Sequence, residues 1–98
     1  MNLIFEWDRN KAQSNLRKHK ISFDEAKTIF QDDLAVTYAD NFHVDQEDRF
    51  ISIGISVSSR ILLVVHTEVE RSGDVFVIRI ISSRKATTSE RKIYEEGK

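Results

Sequence analysis

The spacing of the hydrophobic residues changes part-way along this chain, and that change constrains the fold more than any other feature of the sequence. Before Asp32 the apolar residues recur at every third or fourth position, as Phe23, Ala26 and Phe30 do. Beyond Asp32 they alternate with polar or small residues, as in the segment from Phe50 to Ser56. A helical period followed by a strand period predicts an α+β domain.

The capping and turn residues divide this pattern into elements in the order β-α-α-β-β-β-β-α. The predicted ranges are Leu3 to Trp7, Arg9 to His19, Phe23 to Phe30, Leu34 to Ala39, Phe50 to Ser56, Arg60 to Val69, Val75 to Ser82 and Thr87 to Glu96. Asp8, Ser22 and Thr87 stand at the helix starts, where such side chains accept hydrogen bonds from free backbone N–H groups. The segment Glu70 to Asp74 is typical of a hairpin turn, and Asp40 to Asp48 of a polar connection. Short turns between consecutive strands indicate a mostly antiparallel sheet, packed by two N-terminal helices and a C-terminal helix.

The composition sets limits on the kind of protein. The 98 residues are enough for a single domain, residues 1–98, and no linker or repeat divides them. Cysteine is absent and the three histidines are not at helical ligand spacing, so we expect neither a metal site nor another cofactor. The segment Met1 to Asp8 lacks the features of a signal peptide, and the longest apolar stretch, Ile61 to Val65, is too short to span a bilayer. We therefore expect a cytoplasmic protein with no membrane contact.

The net charge of −1 hides an uneven distribution along the chain. Acidic residues crowd the first half: Asp24, Glu25, Asp32, Asp33, Asp40, Asp45, Glu47 and Asp48. Basic residues dominate the end: Arg79, Arg84, Lys85, Arg91 and Lys92. Because binding of a polyanion depends on the local field, the net charge argues against tight non-specific nucleic-acid binding but allows a compact basic site.

Two neighbouring predicted strands carry polar side chains suited to chemistry. In the strand that starts at Arg60, His66 and Glu68 share a face and are about 7 Å apart. Arg79 interrupts the following apolar strand. A hairpin that turns near Ser72-Gly73 brings Glu68 close to Arg79, whereas a slip of one residue puts the two on opposite faces.

Each of these residues has two interpretations. An arginine inside an apolar strand must be paired or face a groove, so Arg79 either forms a buried salt bridge with Glu68 or Glu70 or belongs to an active site. His66 is either a catalytic residue or a histidine whose hydrogen bonds are satisfied within the sheet. Glu68 is either catalytic or an ordinary carboxylate at a strand end.

Further cations allow alternatives of the same kind. Arg49 stands at a strand start, where it either belongs to the site or is a solvated surface side chain. Arg84 and Lys85 fall in the predicted loop before the last helix, where they either clamp a phosphate or form an exposed charged turn. The run Arg17 to Lys20 is either an RNA-binding patch or a set of cations that complements the dipole at a helix C-terminus. Trp7 is interpreted as a core residue, with base stacking or packing against a partner as the alternative.

Cleavage of an RNA strand would use residues of these types. A 2′-hydroxyl must lose its proton, the charge on the phosphorane must be stabilised, and the leaving 5′-oxygen must gain a proton. Arginine and lysine supply the charge stabilisation, and a glutamate or histidine serves as base or acid. Such a reaction requires no metal.

Three blocks of the sequence resemble the BrnT toxin family, and together they cover nearly the whole chain. The opening block contains Phe5-Glu6-Trp7-Asp8, Lys11, Asn15, Lys18-His19, Ile21-Ser22-Phe23 and Glu25-Ala26. The middle block is Arg49-Phe50-Ile51-Ser52-Ile53-Gly54. The closing block, the most specific, contains Arg79 to Thr87, Glu90-Arg91 and Tyr94-Glu95. Lys20 stands where the family usually has glycine, which bears on how the first helix ends.

The resemblance implies a RelE-like fold and an endoribonuclease that arrests translation. It also implies neutralisation by a BrnA-type antitoxin with a ribbon-helix-helix domain, and contact with operator DNA only through that antitoxin. The positions that match are Arg49, Glu68, Arg79, Arg84 and Lys85, to which the strand-face argument adds His66. The catalytic candidates are thus Glu68, Arg79, His66 and Arg49, and the candidates for binding RNA phosphate are Arg84, Lys85 and Arg79.

One hypothesis and two alternatives follow. In the hypothesis, the protein is a metal-independent endoribonuclease in which Arg79, Arg84 and Lys85 hold the scissile phosphate and Glu68 or His66 transfers protons. The first alternative is a non-catalytic binding module that acts as a co-repressor with its antitoxin. The second is a plain α+β interaction domain whose charged face is solvated.

Overall fold

The elements form in the predicted order in the computed structural model, which describes residues 2–41 and 48–97. They are β1 (Asn2–Glu6), α1 (Arg9–His19), α2 (Phe23–Ala26), a 3₁₀ helix (Lys27–Gln31), β2 (Val36–Ala39), β3 (Phe50–Ile55), β4 (Ile61–Ser72), β5 (Val75–Lys85) and α3 (Thr88–Glu96). The predicted polar connection from Asp40 to Asp48 lies mostly outside the described residues.

The strands form one sheet in the order β1-β5-β4-β3-β2. Every neighbouring pair is antiparallel except β1 and β5, which are parallel. A short turn at Gly73 and Asp74 joins the two longest strands, β4 and β5, and Gly73 has a φ of +55° there, which glycine adopts without strain. The α+β class, the mostly antiparallel sheet and the hairpin are therefore confirmed.

The two faces of the sheet are covered differently. On the helix face, α1, α2 and the 3₁₀ helix enclose a core that contains Leu62 and Val64 of β4 with Ile78 and Ile80 of β5. On the opposite face, which we call the α3 face, α3 packs against β3, where Ile53 is fully buried. Because α3 is short, it does not reach the part of this face near β1 and the β4–β5 turn.

The helix starts follow the predicted caps. The side chains of Asp8 and Ser22 each accept a hydrogen bond of 3.0 Å from the backbone N–H three residues further on. Thr87 and Glu90 form a reciprocal capping box at the start of α3. These bonds satisfy N–H groups that a first helical turn leaves without partners, so local sequence determines where each helix begins.

Lys20 caps the C-terminal end of α1, and its backbone is left-handed with φ 61° and ψ 29°. The Lys20 N–H bonds to the carbonyl of Leu16, and its Nζ donates to the carbonyl of Arg17 at 3.1 Å. This conformation costs a residue with a side chain roughly 1–2 kcal/mol. The helix thus ends in a geometry that suits glycine better than the lysine present.

Several boundaries differ from the sequence prediction. The second helix is α-helical only to Ala26 and continues as the 3₁₀ helix. β5 extends to Lys85, because its backbone pairing with β4 continues as far as Leu62 opposite Lys85. The expectation that Arg84 and Lys85 lie in a loop is therefore wrong: backbone hydrogen bonds carry the strand beyond its last apolar residues.

Asn15 holds α1 against β5 and is almost fully buried. Its side-chain amide donates to the carbonyls of Ile21 and Ser83, both at 2.9 Å, and its Oδ1 accepts from the Ser83 N–H at 3.0 Å. β1 pairs with β5 only as far as Arg79, so the edge of β5 beyond that point lacks a strand neighbour on this side. The Asn15 side chain takes that place for Ser83.

Candidate active site

The register between β4 and β5 decides which of the predicted residues share a face. Thr67 lies opposite Arg79, and Glu68 lies opposite Ile78. Directly opposed residues point to the same face, so Glu68 and Arg79 point to opposite faces. The expectation that Glu68 lies beside Arg79 is wrong, and the one-residue slip is what occurs.

Burial explains the slip. The β4–β5 ladder shifts its register by one residue near the turn and shifts back after His66. Between the two irregularities, Ile78 and Ile80 face the core, whereas a regular ladder from the turn would turn Arg79 inward. Burial of an isoleucine stabilises by about 1.5–3 kcal/mol, and burial of a charge is costly, so the shifted register wins.

Arg79 lies on the α3 face near the sheet edge that β1 forms. It is opposite Glu6 in the parallel β1–β5 pair, and its Nη1 is 3.3 Å from the Oε2 of Glu6. The two side chains are 44% and 49% exposed. Arg79 thus pairs with Glu6 rather than with Glu68 or Glu70, and an anion from solution has access to the guanidinium group.

Arg49 belongs to the same face. It directly precedes β3, and its carbonyl accepts a hydrogen bond from the Asp40 N–H at 2.8 Å, which continues the β2–β3 pairing. Phe50 pairs with His66 on the helix face. One further step along this register sets Arg49 opposite Thr67, on the α3 face.

A row of polar residues therefore crosses the sheet on the α3 face. We call it the arginine row. Strand pairing places Glu6, Arg79 and Thr67 in it, and extension of the β3–β4 register by one residue adds Arg49. Neighbouring strands are about 4.8 Å apart, so the Cα atoms of the two arginines are about 10 Å apart. Arginine side chains are long enough for both guanidinium groups to contact one phosphate at that separation.

Arg84 lies on the α3 face as well, about 13 Å along β5 from Arg79. Its Nη1 and Nη2 lie 2.8 and 2.9 Å from the two carboxylate oxygens of Glu90 in α3. The hydrogen bonds from Arg84 lower the pKa of Glu90, and Glu90 in turn raises the pKa of Arg84. Tyr38 of β2 lies beside this pair and is 37% exposed. The partial burial of its ring and the charge of Glu90 raise the pKa of its hydroxyl.

Lys85 does not join these arginines. It is opposite Leu62 at the end of the sheet and lines a cavity of about 390 Å³ together with Arg60 and with Arg91 of α3. The expectation that Arg79, Arg84 and Lys85 converge on one phosphate is therefore wrong. Arg84 lies about 13 Å from Arg79 along β5, and strand alternation turns Lys85 away from Arg84.

His66 is fully buried on the helix face. Its Nε2 lies 2.7 Å from the Oγ of Ser52, and its ring is edge-on to Phe30 with the centroids 5.0 Å apart. Burial lowers the pKa of His66 to about 4, so the ring is neutral at pH 7. The structure thus favours the interpretation of a satisfied sheet histidine, since His66 has no surface that a substrate can contact.

Glu68 lies on the helix face at a cavity of about 280 Å³ whose other lining is mainly apolar. Its Oε1 is 3.9 Å from the Nδ1 of His66, and its side chain is 35% exposed. Burial raises the pKa of Glu68. Because the sheet separates Glu68 from Arg49, Arg79 and Arg84, it cannot act with them on one phosphate.

Glu6 and Tyr38 were not among the site residues predicted from the sequence. Alternation along β1 sets Glu6 on the face opposite Leu3 and Phe5, and this part of the signal is local. Its position beside Arg79 depends on the parallel pairing of β1 with β5, which joins the two ends of the chain and leaves no local signal.

Among the described residues, no cluster of histidine and carboxylate side chains is arranged to hold a metal ion. Helices in the same part of the chain are too short and too polar to cross a membrane.

The family model for the ribonuclease toxin BrnT of type II toxin–antitoxin systems matches residues 7–90. This chain belongs to the BrnT family. The crystal structure of the Brucella abortus ribonuclease toxin BrnT matches with a TM-score of 0.59 and 22% sequence identity, over 90% of this chain and 100% of that one. No curated protein matches the chain significantly.

Membership of the BrnT family confirms the resemblance found in the sequence. The likeness to the Brucella structure confirms the predicted fold. A ribonuclease toxin of a type II system has a protein antitoxin as its partner, and the family favours this role over a co-repressor module or a plain interaction domain.

Proposed function

We propose that this BrnT protein is a metal-independent endoribonuclease whose active site is the arginine row. The observation that carries the proposal is that Arg79 lies opposite Thr67, half-exposed on the α3 face and paired to Glu6. Extension of the β3–β4 register by one residue sets Arg49 on the other side of Thr67. The phosphorane formed during RNA cleavage carries more negative charge on its oxygens than the starting phosphodiester. Two guanidinium groups held by a rigid sheet are placed to stabilise that charge.

In the proposed reaction, the 2′-oxygen attacks the adjacent phosphorus and the bond from phosphorus to the 5′-oxygen breaks. The Glu6 carboxylate takes the proton of the 2′-hydroxyl, and solvent supplies a proton to the leaving 5′-oxygen. The products are a 2′,3′-cyclic phosphate and a 5′-hydroxyl. Arg79 has two tasks, since it orients Glu6 and contacts the phosphate.

Arg84 and Tyr38 have supporting roles in this proposal. Arg84 lies too far along β5 to hold the same phosphate as Arg79, so we assign it to a neighbouring phosphate. Its guanidinium group also donates a hydrogen bond to Glu90. The exposed ring of Tyr38 beside it offers a surface on which a base can stack. His66 and Glu68 are left out because they lie on the helix face, and Lys85 because it lines a separate cavity at the end of the sheet.

The partner of the toxin is proposed to be a BrnA-type antitoxin with a ribbon-helix-helix domain. Operator DNA is then contacted by the antitoxin, and the toxin approaches it only within the complex. Since the proposed substrate is translated RNA, we place the activity in the cytoplasm.

The test compares the wild-type protein with Arg79→Ala and with Lys27→Ala, a control that removes one cation from an exposed ion pair outside the row. RNA is supplied free, with and without EDTA, and also bound to ribosomes in the presence of Mg²⁺. We expect Arg79→Ala to lower the cleavage rate about 10²–10³-fold, as loss of one oxyanion-stabilising group does. Lys27→Ala and EDTA should leave the rate unchanged, and a 2′-deoxy substitution at the cut site should prevent cleavage.

Two results would contradict the proposal. If the wild-type protein cuts neither free nor ribosome-bound RNA and its induction does not arrest growth, the activity is wrong. If the protein cuts RNA and Arg79→Ala cuts it equally fast, the activity stands but the site is wrong.

A further inference from the structure

The charge of α1 is unusual in a chain with a net charge of −1. From Arg9 to Phe23 the sequence contains no aspartate or glutamate. The same stretch contains Arg9, Lys11, Arg17, Lys18 and Lys20. Within residues 2–41 and 48–97, none of these cations forms an ion pair.

Helix stability accounts for only part of this charge. Arg17 and Lys18 lie in the last turn of α1, where cations complement the helix dipole. Arg9 and Lys11 lie in the first turn, where cations oppose the dipole. That turn contains no acidic residue, and the nearest carboxylate is that of the cap, Asp8, so helix stability alone does not account for two cations there.

A groove runs between α1 and the outer edge of β5, with a volume of about 180 Å³. Lys11 and Lys18 line it from α1, with Ser14 between them, and Ser82 lines it from β5. The two lysines are seven residues apart, or about 10 Å along the helix axis. Their ammonium groups can therefore contact different phosphates of one strand, and the serine hydroxyls can donate to phosphate oxygens between them.

The groove is rigid. The Asn15 side chain bonds to both backbone groups of Ser83 at its base, and so sets the distance between α1 and β5. A site whose width is set in this way loses little freedom when it binds an extended chain.

The groove also adjoins the arginine row. Asp8, the cap of α1, lies two positions after Glu6 of that row. The pKa of Asp8 is lowered, chiefly by its hydrogen bond from the Lys11 N–H and also by the charges of Lys11 and Arg79, so both cations lie near this one carboxylate. Ser82, three residues beyond Arg79 on β5, lines the groove. An RNA strand that leaves the row at Arg79 can therefore pass around the outer edge of β5 into the groove.

We propose that the groove between α1 and β5 binds the phosphodiester backbone of the RNA strand on one side of the cut. The inference rests on the proposed function, because it takes the arginine row as the place of cleavage. Lys11 and Lys18 contact two phosphates outside the reacting centre, so they contribute affinity for a long strand and take no part in the chemical step.

The test uses a single-stranded RNA oligonucleotide that carries a 2′-O-methyl group at every position, so that it binds but cannot be cut by 2′-oxygen attack. Its dissociation constant is measured by fluorescence anisotropy over a range of salt concentrations for wild type and for Lys11→Ala/Lys18→Ala. The control is Lys27→Ala/Lys92→Ala, which removes the same charge from residues that line neither the groove nor the row. Each phosphate contact to a single strand contributes about 0.7 to the slope of log affinity against log salt, so the groove variant should lower the slope by about 1.4. The control should leave it unchanged.

Cleavage kinetics with an all-ribose strand complete the test. We expect the groove variant to raise KM and to keep the wild-type kcat at saturating RNA. An unchanged salt slope in the groove variant overturns the inference, as does a loss of affinity for the antitoxin without a loss for RNA. If the wild type binds the oligonucleotide through the groove but cuts no RNA, the groove stands and the proposed function fails, so the two failures are distinguishable.

Discussion

The side-chain amide of Asn15 exchanges two hydrogen bonds with the backbone of Ser83, one as donor and one as acceptor. A strand neighbour would make the same two bonds, so a helix side chain completes the edge of β5 where β1 has ended. A third bond, to the carbonyl of Ile21, ties the end of α1 to the same point. One residue thus connects α1, the chain that follows it and the last strand.

Replacement of this amide should be strongly destabilising. In Asn15→Ala, the backbone N–H and carbonyl of Ser83 and the carbonyl of Ile21 lose their partners in a buried place. Each buried polar group left unsatisfied costs about 1–3 kcal/mol, so we expect the three together to lower the free energy of unfolding by about 3 kcal/mol or more. Denaturant unfolding measures this, with Asn10→Ala, on the exposed side of α1, as the control. A loss below about 1 kcal/mol would show that water replaces the amide.

Lys20→Gly should stabilise the protein. Glycine adopts the left-handed conformation at the end of α1 without the cost that a side chain incurs there. Some of the gain is offset by the larger conformational freedom of glycine in the unfolded chain and by loss of the bond from Lys20 Nζ to Arg17. We expect a net gain of about 0.5–1 kcal/mol in the free energy of unfolding.

The matched control for that change is Lys18→Gly, which replaces the same residue type inside α1. There glycine should lower the free energy of unfolding by about 1 kcal/mol. The backbone at position 18 is helical, so the extra conformational freedom of glycine only favours the unfolded chain. Effects of equal sign at the two positions would rule out the backbone explanation.

His66 should make the protein less stable as the pH falls below 7. In the unfolded chain the imidazole takes up a proton near pH 6.5, whereas in the folded protein burial lowers its pKa to about 4. Between these values the unfolded state binds the proton first, so stability falls with pH and the loss approaches about 3 kcal/mol below pH 4. Above pH 6.5 the ring is neutral in both states and this dependence vanishes.

The measurement is the free energy of unfolding from pH 4 to 8 for wild type, His66→Gln and His19→Gln. Glutamine at position 66 can keep a bond to Ser52 but cannot titrate, so its curve should be flatter between pH 4 and 6.5. His19→Gln should keep the wild-type slope. Equal slopes in all three proteins would mean that other groups cause the acid sensitivity.

Glu68→Gln should leave RNA cleavage unchanged and raise stability at neutral pH. Burial raises the pKa of Glu68, so the folded protein disfavours the charged form, and its destabilising effect develops as the pH rises through that raised pKa. Glutamine removes this charge and keeps the shape. Cleavage assays and thermal unfolding at pH 5 and pH 8 check both parts, and a large fall in kcat would return Glu68 to the catalytic set.

Most of the fold could be predicted from the sequence because it depends on local signals. Asp8, Ser22 and Thr87 each place a helix start through bonds to N–H groups three residues away. The alternating strands follow from burial of one face. The 3₁₀ continuation of the second helix has no such marker, and its helical spacing of apolar residues resembles that of an α-helix.

The site was less accessible to sequence reasoning, because it depends on register and on long-range pairing. Arg79 stands out as a charge in an apolar strand, but its face is decided by two irregularities in the hairpin. Glu6 reaches Arg79 only through pairing between the two ends of the chain. Asn15 gives no sign in the sequence that its partner is Ser83, because 68 residues separate them.

The two irregularities in the β4–β5 hairpin leave the chain with a competing arrangement. A regular ladder grown from the turn would set Glu68 against Arg79, a pair of opposite charges, and what opposes it is the burial of Ile78 and Ile80. Molecules trapped in that arrangement would have near-native secondary structure but an inward-facing Arg79, and so would be enzymatically silent. We therefore expect the specific activity of a refolded sample to measure the fraction of molecules whose hairpin has reached the native register.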